Sequence, residues 1–208
     1  MAMMHMEVLR LDFQIKNIIA ASEIEAGETA NYYSRVDFNE IFEDAKKSFY
    51  YIIKDKELSV NISNELNDSI NSDGQKIYLI CLNLLSNACE YSYAKGVINV
   101  RVLMKDENVV IIFEDMGEGI ISDNKLLVYN RFTQFNRGIN RTKTGLGLGL
   151  SVVKGMSEAL GGSVDYESEP EKLTSFIVTI PIIQDGNKLM SGGSNDVLFE
   201  DFDNALEM

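Results

Sequence analysis

The apolar periodicities along this 208-residue chain predict an α+β fold. It is a two-layer α/β sandwich in which a mixed, mostly antiparallel sheet is covered by helices on one face, with a further helix at the N-terminus. Three observations predict it. Helical spacing of apolar residues recurs in separate segments. Alternating segments come in neighbouring pairs, as hairpins do. Helices and strands do not alternate one for one, as a parallel β-α array requires.

The first segment, Val8 to Ile24, places Val8, Leu11, Ile15, Ile18 and Ile19 close to the i, i+3, i+4, i+7 pattern of an amphipathic helix, and Ala26-Gly27 marks its C-terminal cap. Tyr32 to Asp37 reads as extended, and Phe38 to Ile53 as a second helix with Ile41, Phe42, Ala45, Phe49 and Ile52 on one side. Glu57 to Ile62 alternates Leu58, Val60 and Ile62 with polar residues, a half-buried strand. Asp73-Gly74 opens a helix running to about Tyr91. Val97 to Met104 and Val109 to Glu114 form a hairpin around the polar turn Lys105-Asp106-Glu107-Asn108. Gly117 to Gly149 reads as a long irregular loop with one short helix near Leu126, and loops of that length are commonly functional. A helix from Leu150 to Leu160 ends at Gly161-Gly162. Strands Ser163 to Ser168 and Ser175 to Ile182 follow, with Pro170 and Pro181 at a turn and a strand end, where a missing N–H does least harm.

Composition narrows the function. With 19 Lys+Arg against 32 Asp+Glu the formal charge is −13, which argues against nucleic-acid binding, since the phosphate backbone demands clustered cations. Hydrophobic residues at 45% and charged residues at 25% fit a globular domain rather than a disordered chain. No run of about 18 apolar residues occurs, and the N-terminal Met1 to Met6 lacks a signal-peptide pattern. A cytoplasmic location is therefore expected. Cys81 and Cys89 sit about 12 Å apart along a helix rising about 1.5 Å per residue, too far for a disulfide, and are expected to be reduced core residues. The single histidine, His5, leaves neither a zinc spacing nor a plausible Ser/His/Asp triad.

Three motifs carry chemistry. On the helix from Gly74, residues Asn83, Asn87 and Glu90 share one face beside the apolar stripe Ile80, Leu84 and Ala88. Asparagine is a poor helix former, and its amide oxygen suits Mg2+, which takes oxygen donors; two solvated asparagines are the alternative. Asp115-Met116-Gly117-Glu118-Gly119 follows an apolar strand. There a carboxylate can accept from an exocyclic amine such as that of adenine, and glycines let the backbone approach a flat ligand; the alternative is a capped tight turn. Gly145-Leu146-Gly147-Leu148-Gly149-Leu150-Ser151 runs from the loop into a helix, where backbone N–H groups bind anions. It is neither a Walker loop, which needs Gly-Lys-Ser/Thr, nor a dinucleotide fingerprint, which belongs to a first βαβ unit. A flexible hinge is its alternative.

Together, in this order, the motifs resemble the ATP-binding domain of sensor histidine kinases, in the wider GHKL superfamily shared with gyrase, a class of heat-shock chaperones and the MutL repair protein. Asn83 to Ala88 resembles the N box, Asp115 to Gly119 the first glycine box, Arg131-Phe132-Thr133-Gln134-Phe135 the F box and Gly145 to Leu150 the second glycine box. The likeness covers about Val36 to Pro181. It implies the Bergerat-type ATP-binding fold, with ATP and Mg2+ as ligands. Asn87 would coordinate the metal with Asn83 in support, Tyr91 would pack beside the nucleotide, and Asp115 would bind the adenine amine. Gly117 and Gly119 would shape the base pocket. Gly145, Leu146, Gly147, Leu148 and Gly149 would close over the phosphates with Arg137, Arg141 and Lys143, unless those cations are simply solvated.

The resemblance also implies a division of the chain. Residues 1–28 resemble the end of a second dimerisation helix, 29–184 the ATP-binding domain, and 185–208 form a tail expected to be flexible, with six acids and one base. Two departures stand out. Many members carry Lys or Arg three residues after the second Asn, where this chain has Glu90, so either Glu90 turns away from the phosphates or affinity falls. The family's acceptor His is followed by an acid and then a Pro, whereas His5 is followed by Met6. The expectation is thus a catalytic portion of a kinase that phosphorylates a histidine elsewhere. Its implied partners are a phosphoacceptor dimerisation domain in cis or trans, a response regulator receiver domain, and a second copy of the full-length kinase. The alternatives are an ATPase of the same fold, or a degenerate docking module.

Overall fold

The computed structural model describes residues 2–120, 125–133 and 146–182. Five α-helices and seven strands are described: α1 Ala2–Ala26, β1 Ser34–Val36, α2 Phe38–Ser48, α3 Tyr50–Asp55, β2 Ser59–Asn64, β3 Ile70–Ser72, α4 Gly74–Tyr91, β4 Val97–Lys105, β5 Asn108–Asp115, α5 Gly149–Ala159, β6 Ser163–Glu169 and β7 Leu173–Pro181. A 3₁₀ turn lies at Lys125–Tyr129. The main sheet has the order β2-β4-β5-β7-β6, parallel only between β2 and β4, as a mostly antiparallel sandwich requires.

Its buried face follows from the two-residue period of strands. Val100 pairs with Phe113 and Phe113 with Phe176, while Val102 pairs with Ile111 and Ile111 with Val178, so apolar rows run across the central strands and are buried under α2, α4 and α5. Each such fully buried side chain contributes about 1.5–3 kcal/mol of transfer free energy. The cysteines Cys81 and Cys89 are free and buried in this core, and burial pushes the Cys89 thiol up to about 12.

The N-terminus of α4 is built from local chemistry. Asp73 caps it, its Oδ1 accepting from the N–H groups of Gln75 and Lys76, while its Oδ2 accepts from Tyr32 N and from the Lys76 ammonium. The same ammonium donates to Ala30 O at 2.6 Å, so the chain after α1 is fastened to the start of α4. The other end is held by Lys56, whose Nζ donates to the carbonyls of Cys89, Glu90 and Ser92. A cation at a helix C-terminus satisfies carbonyls that have no partner within the helix.

Three features differ from the sequence reading. The expected helix Phe38 to Ile53 is two, because Phe49 leaves helical geometry (φ −109°, ψ 15°), and its ring stands edge-on to Phe13 of α1, centroids 5.6 Å apart. Strand β3, three residues long, pairs with β1 in a separate ribbon. In α1 the periodic apolar residues face outward: Val8, Leu11, Ile15 and Ile18 are 61%, 55%, 54% and 49% exposed, whereas Asn17, Ala20 and Ala21 are buried.

Candidate nucleotide site

The inward side of α1, the outer side of α4, the end of β5 and the start of α5 enclose one cavity of about 640 Å³. That lies within the range of small-molecule sites, about 300–1,000 Å³. Of the residues singled out from sequence, Asn83, Asn87, Glu90, Tyr91, Asp115, Gly119, Leu146, Gly147, Leu148 and Gly149 all line it. Gly145, Arg137, Arg141, Lys143 and the tail from Asp185 lie outside the described residues, as do Gln134 and Phe135.

Asn83 and Asn87 reach the cavity from successive turns of α4. Asn83 is 1% exposed, and its Nδ2 donates to Leu79 O at 2.9 Å and to Asn17 Oδ1 at 2.7 Å. Its Oδ1 is buried without a partner, as is Asp115 Oδ1. A buried acceptor left unpaired costs about 1–3 kcal/mol, so two of them in one cavity mark where a donor or a cation is called for. Burial pushes the Asp115 carboxyl up to about 7, against the opposing pull of the Lys56 ammonium. The Tyr91 hydroxyl rises to about 12, first through burial and then through Glu90 and Glu118.

The glycines do different work. Gly117 does not line the cavity. It lies against the end of α4, where Ser92 bridges to it, and a Cβ at Gly117 would fall 2.2 Å from Tyr91 O. It sets the distance between β5 and the end of α4. Gly119 has φ +72° and backs onto the β6–β7 turn, where a Cβ would meet Pro170 Cα at 2.7 Å. Gly147, at φ +68°, packs on the backbone of Phe132, whose N–H donates to Gly147 O at 2.9 Å; this joins the F box to the second glycine box. Gly149 leaves room for Asn83 Oδ1, which a Cβ there would approach at 2.8 Å.

Sequence reasoning missed what α1 contributes. Arg10, Phe13, Gln14 and Asn17 all line the cavity, and Arg10 brings a cation to the enclosure that contains Glu90. The sequence signal for Asn17 was present, a polar poor helix former amid Ile15, Ile18 and Ile19, but its partner on α4 lies 66 residues away. Lys56 was likewise invisible as a support for the site.

The sequence pattern of the family described as "Histidine kinase-, DNA gyrase B-, and HSP90-like ATPase" matches residues 72–184, more than half of the chain. The chain belongs to this ATPase family. Among the curated relatives of this histidine-kinase-like domain, "Circadian input-output histidine kinase CikA" of Thermosynechococcus vestitus is 28% identical over 178 residues, spanning 82% of the chain and 24% of that protein. "Sensor histidine kinase RppB" of Synechocystis is 26% identical over 180 residues, spanning 83% and 38%. The chain thus spans between about a quarter and two fifths of the length of these relatives. Among solved structures, "Acinetobacter baumannii histidine kinase AdeS" superposes with a TM-score of 0.69 at 22% identity, covering 85% of this chain and 81% of that one. Full-length ShkA in complex with AMPPNP superposes with a TM-score of 0.72 at 20% identity, covering 86% and 36%. The histidine-kinase-like ATPase domain therefore has the sandwich that the sequence predicts. Among the described residues, no helix is long and apolar enough to cross a membrane.

Proposed function

We propose that the cavity binds Mg-ATP and that this chain is a catalytic domain of a sensor histidine kinase, passing the γ-phosphoryl group to a histidine outside this chain. The observation that carries the reading is the pair of buried, unpartnered acceptors, Asp115 Oδ1 and Asn83 Oδ1, within one enclosure. An adenine amine satisfies the first as a donor, and a divalent cation suits the second.

The donor set fits Mg2+. Among the described residues no cluster of three or more His, Cys, Asp or Glu is placed to hold a metal. An ion here would take the amide oxygens of Asn87 and Asn83, with phosphate and water completing its shell. When bound, Mg2+ neutralises charge on the transferring phosphoryl group. The chain's own residues position the rest: Asp115 orients the base, Tyr91 and Gly119 bound it, and Leu146 to Gly149 bring the α5 N-terminus to the phosphates. Arg141, Lys143 and Gly145 are assigned to the same lid on the family resemblance alone.

The reading divides the chain into residues 1–28 as the end of a dimerisation helix, 29–184 as the ATP-binding domain and 185–208 as an acidic tail. The outward ladder Val8, Leu11, Ile15 and Ile18, at alternating spacings of three and four, supports the first part, because such a ladder suits a helix bundle formed with a second copy. A response regulator is the implied downstream partner, and a cytoplasmic location follows from the same reading. Glu90, a carboxylate lining the cavity, favours a second reading, an ATPase in which it activates water.

Titration calorimetry with a non-hydrolysable ATP analogue and Mg2+ tests the proposal. Binding by the wild type that is lost in Asp115→Ala is expected, and no binding by the wild type overturns it. Steady-state phosphate release abolished by Glu90→Gln would instead support the ATPase.

A further inference from the structure

Helix α1 does more than wall the cavity. Asn17, 5% exposed, donates its Nδ2 to Phe13 O at 3.2 Å, which commits its Oδ1 to accepting. That oxygen takes Asn83 Nδ2 at 2.7 Å, and the same Asn83 nitrogen also donates to Leu79 O at 2.9 Å. A primary amide has two N–H donors and one oxygen, so Asn83 is left with its oxygen unassigned. That oxygen lies beside Gly149 at the start of α5, buried and unpartnered. Flipping the amide would set its oxygen against two other oxygens, Asn17 Oδ1 and Leu79 O, and turn its nitrogen toward Gly149. The relay Phe13, Asn17, Asn83 therefore fixes which end of the amide lies against the start of α5.

We propose that Asn17 is a positioning residue for the metal-nucleotide site: by holding the Asn83 amide oxygen toward the cavity, it makes metal-dependent nucleotide binding depend on how α1 is seated. The inference rests on the Mg-ATP reading above. Two further contacts tie α1 to the walls of the site. Glu25 accepts from Arg131 of the F box at 2.8 Å, and Ile24 fills the notch over Gly155 of α5, where a Cβ would meet Ile24 Cδ1 at 2.6 Å. Of these contacts only the Asn17 relay sets the direction of the unpartnered Asn83 oxygen.

The test compares affinity for a non-hydrolysable ATP analogue, with Mg2+ and with EDTA, in the full chain. Residues that orient a metal ligand typically contribute about 10–100-fold in affinity. Asn17→Ala is expected to weaken Mg2+-loaded binding about tenfold while leaving metal-free binding within about twofold. In an Asn83→Ala background, Asn17→Ala should cause no further loss. The Asn83 side-chain amide resonances of the ligand-free protein should shift in Asn17→Ala. Unchanged Mg2+-loaded binding, or an equal loss with and without metal, overturns the inference and leaves the nucleotide reading standing. Failure of the wild type to bind the analogue under both conditions overturns both.

Discussion

Lys56 Nζ donates to the backbone carbonyl of Glu90 at 2.6 Å, and so holds in place the last turn of the helix that carries the asparagine face. The ammonium also serves Cys89 O and Ser92 O and lowers the otherwise raised carboxyl of Asp115. Lys56→Met keeps the aliphatic stem and removes all three donations. It is expected to cost about 1–3 kcal/mol of stability, measured by denaturant unfolding. It is also expected to weaken ATP-analogue binding, with the apparent carboxyl titration moved to higher pH. A variant as stable as the wild type would show that the three carbonyls are satisfied without it.

Asp115 is expected to trade stability for binding. Its carboxyl is pushed up to about 7 by burial, from an ordinary value near 3.8, so between those values the folded state holds a proton that the unfolded state has released. Its contribution is present in full below pH 3.8 and is lost as pH rises through 7. Asp115→Asn removes that loss and should make the ligand-free protein more stable at pH 8, by on the order of 2–3 kcal/mol, with a smaller gain at pH 5 and little change below pH 3.8. The same substitution should weaken nucleotide binding. Wild-type binding near pH 6.5 should release a proton, visible as a dependence of calorimetric heat on the buffer's ionisation enthalpy; heat independent of buffer would count against an ionised Asp115 in the complex.

The start of α4 has the opposite pH response. Burial acts to raise the Asp73 carboxyl, but the Lys76 ammonium and the N–H groups of Tyr32 and Lys76 outweigh it and hold it below its ordinary value. Its contribution is present above about pH 3.8 and is lost as pH falls through the lowered value. Asp73→Ala should therefore destabilise strongly at pH 7, by about 2–4 kcal/mol, and progressively less as pH falls below 3.8. Thermal melts of variant and wild type across that range measure the difference.

Gly117→Ala places a methyl 2.2 Å from Tyr91 O, against backbone rather than a movable side chain. The end of β5 must then part from the end of α4, at an expected cost on the order of 3 kcal/mol with loss of nucleotide binding. Gly27→Ala meets no atom within 4 Å but must adopt φ +71°, so its smaller penalty isolates backbone strain from steric clash. Equal midpoints for the two variants in urea unfolding would contradict this ordering.

On the dimerisation-helix reading, Leu11→Lys with Ile15→Lys is expected to raise the dimer dissociation constant at least tenfold in sedimentation velocity while sparing nucleotide binding. Both side chains are more than half exposed on the side of α1 away from the cavity. A monomeric wild type at high concentration would overturn the assignment of residues 1–28.

Most of the fold was legible because its signals are local. Asp73 before a 3.6-residue apolar period announced α4, and alternating residues around a polar turn announced the β4–β5 hairpin. Strand β3 was not legible, since three residues carry no period and its partner lies in β1. The site divides the same way. The asparagines, Asp115 and the glycines could be named because each sits in a short pattern. Arg10, Asn17 and Lys56 reach the site from elements distant in sequence, and a one-dimensional pattern carries no trace of that. Gly117 was named from its motif, but the neighbouring Tyr91 backbone that requires a glycine there is contributed by another element and carries no trace in the pattern.

Helix α1 is, mechanically, an axle with two lobes. Its outward ladder and its inward Asn17 lie on opposite sides of one rigid rod of 25 residues, so a torque applied to one side is delivered to the other. A turn of about 100°, one residue's worth of helical advance, would carry Asn17 out of line with Asn83 and bring a neighbouring side chain to the cavity. Whatever grips the ladder therefore has a lever on the nucleotide site without touching the nucleotide.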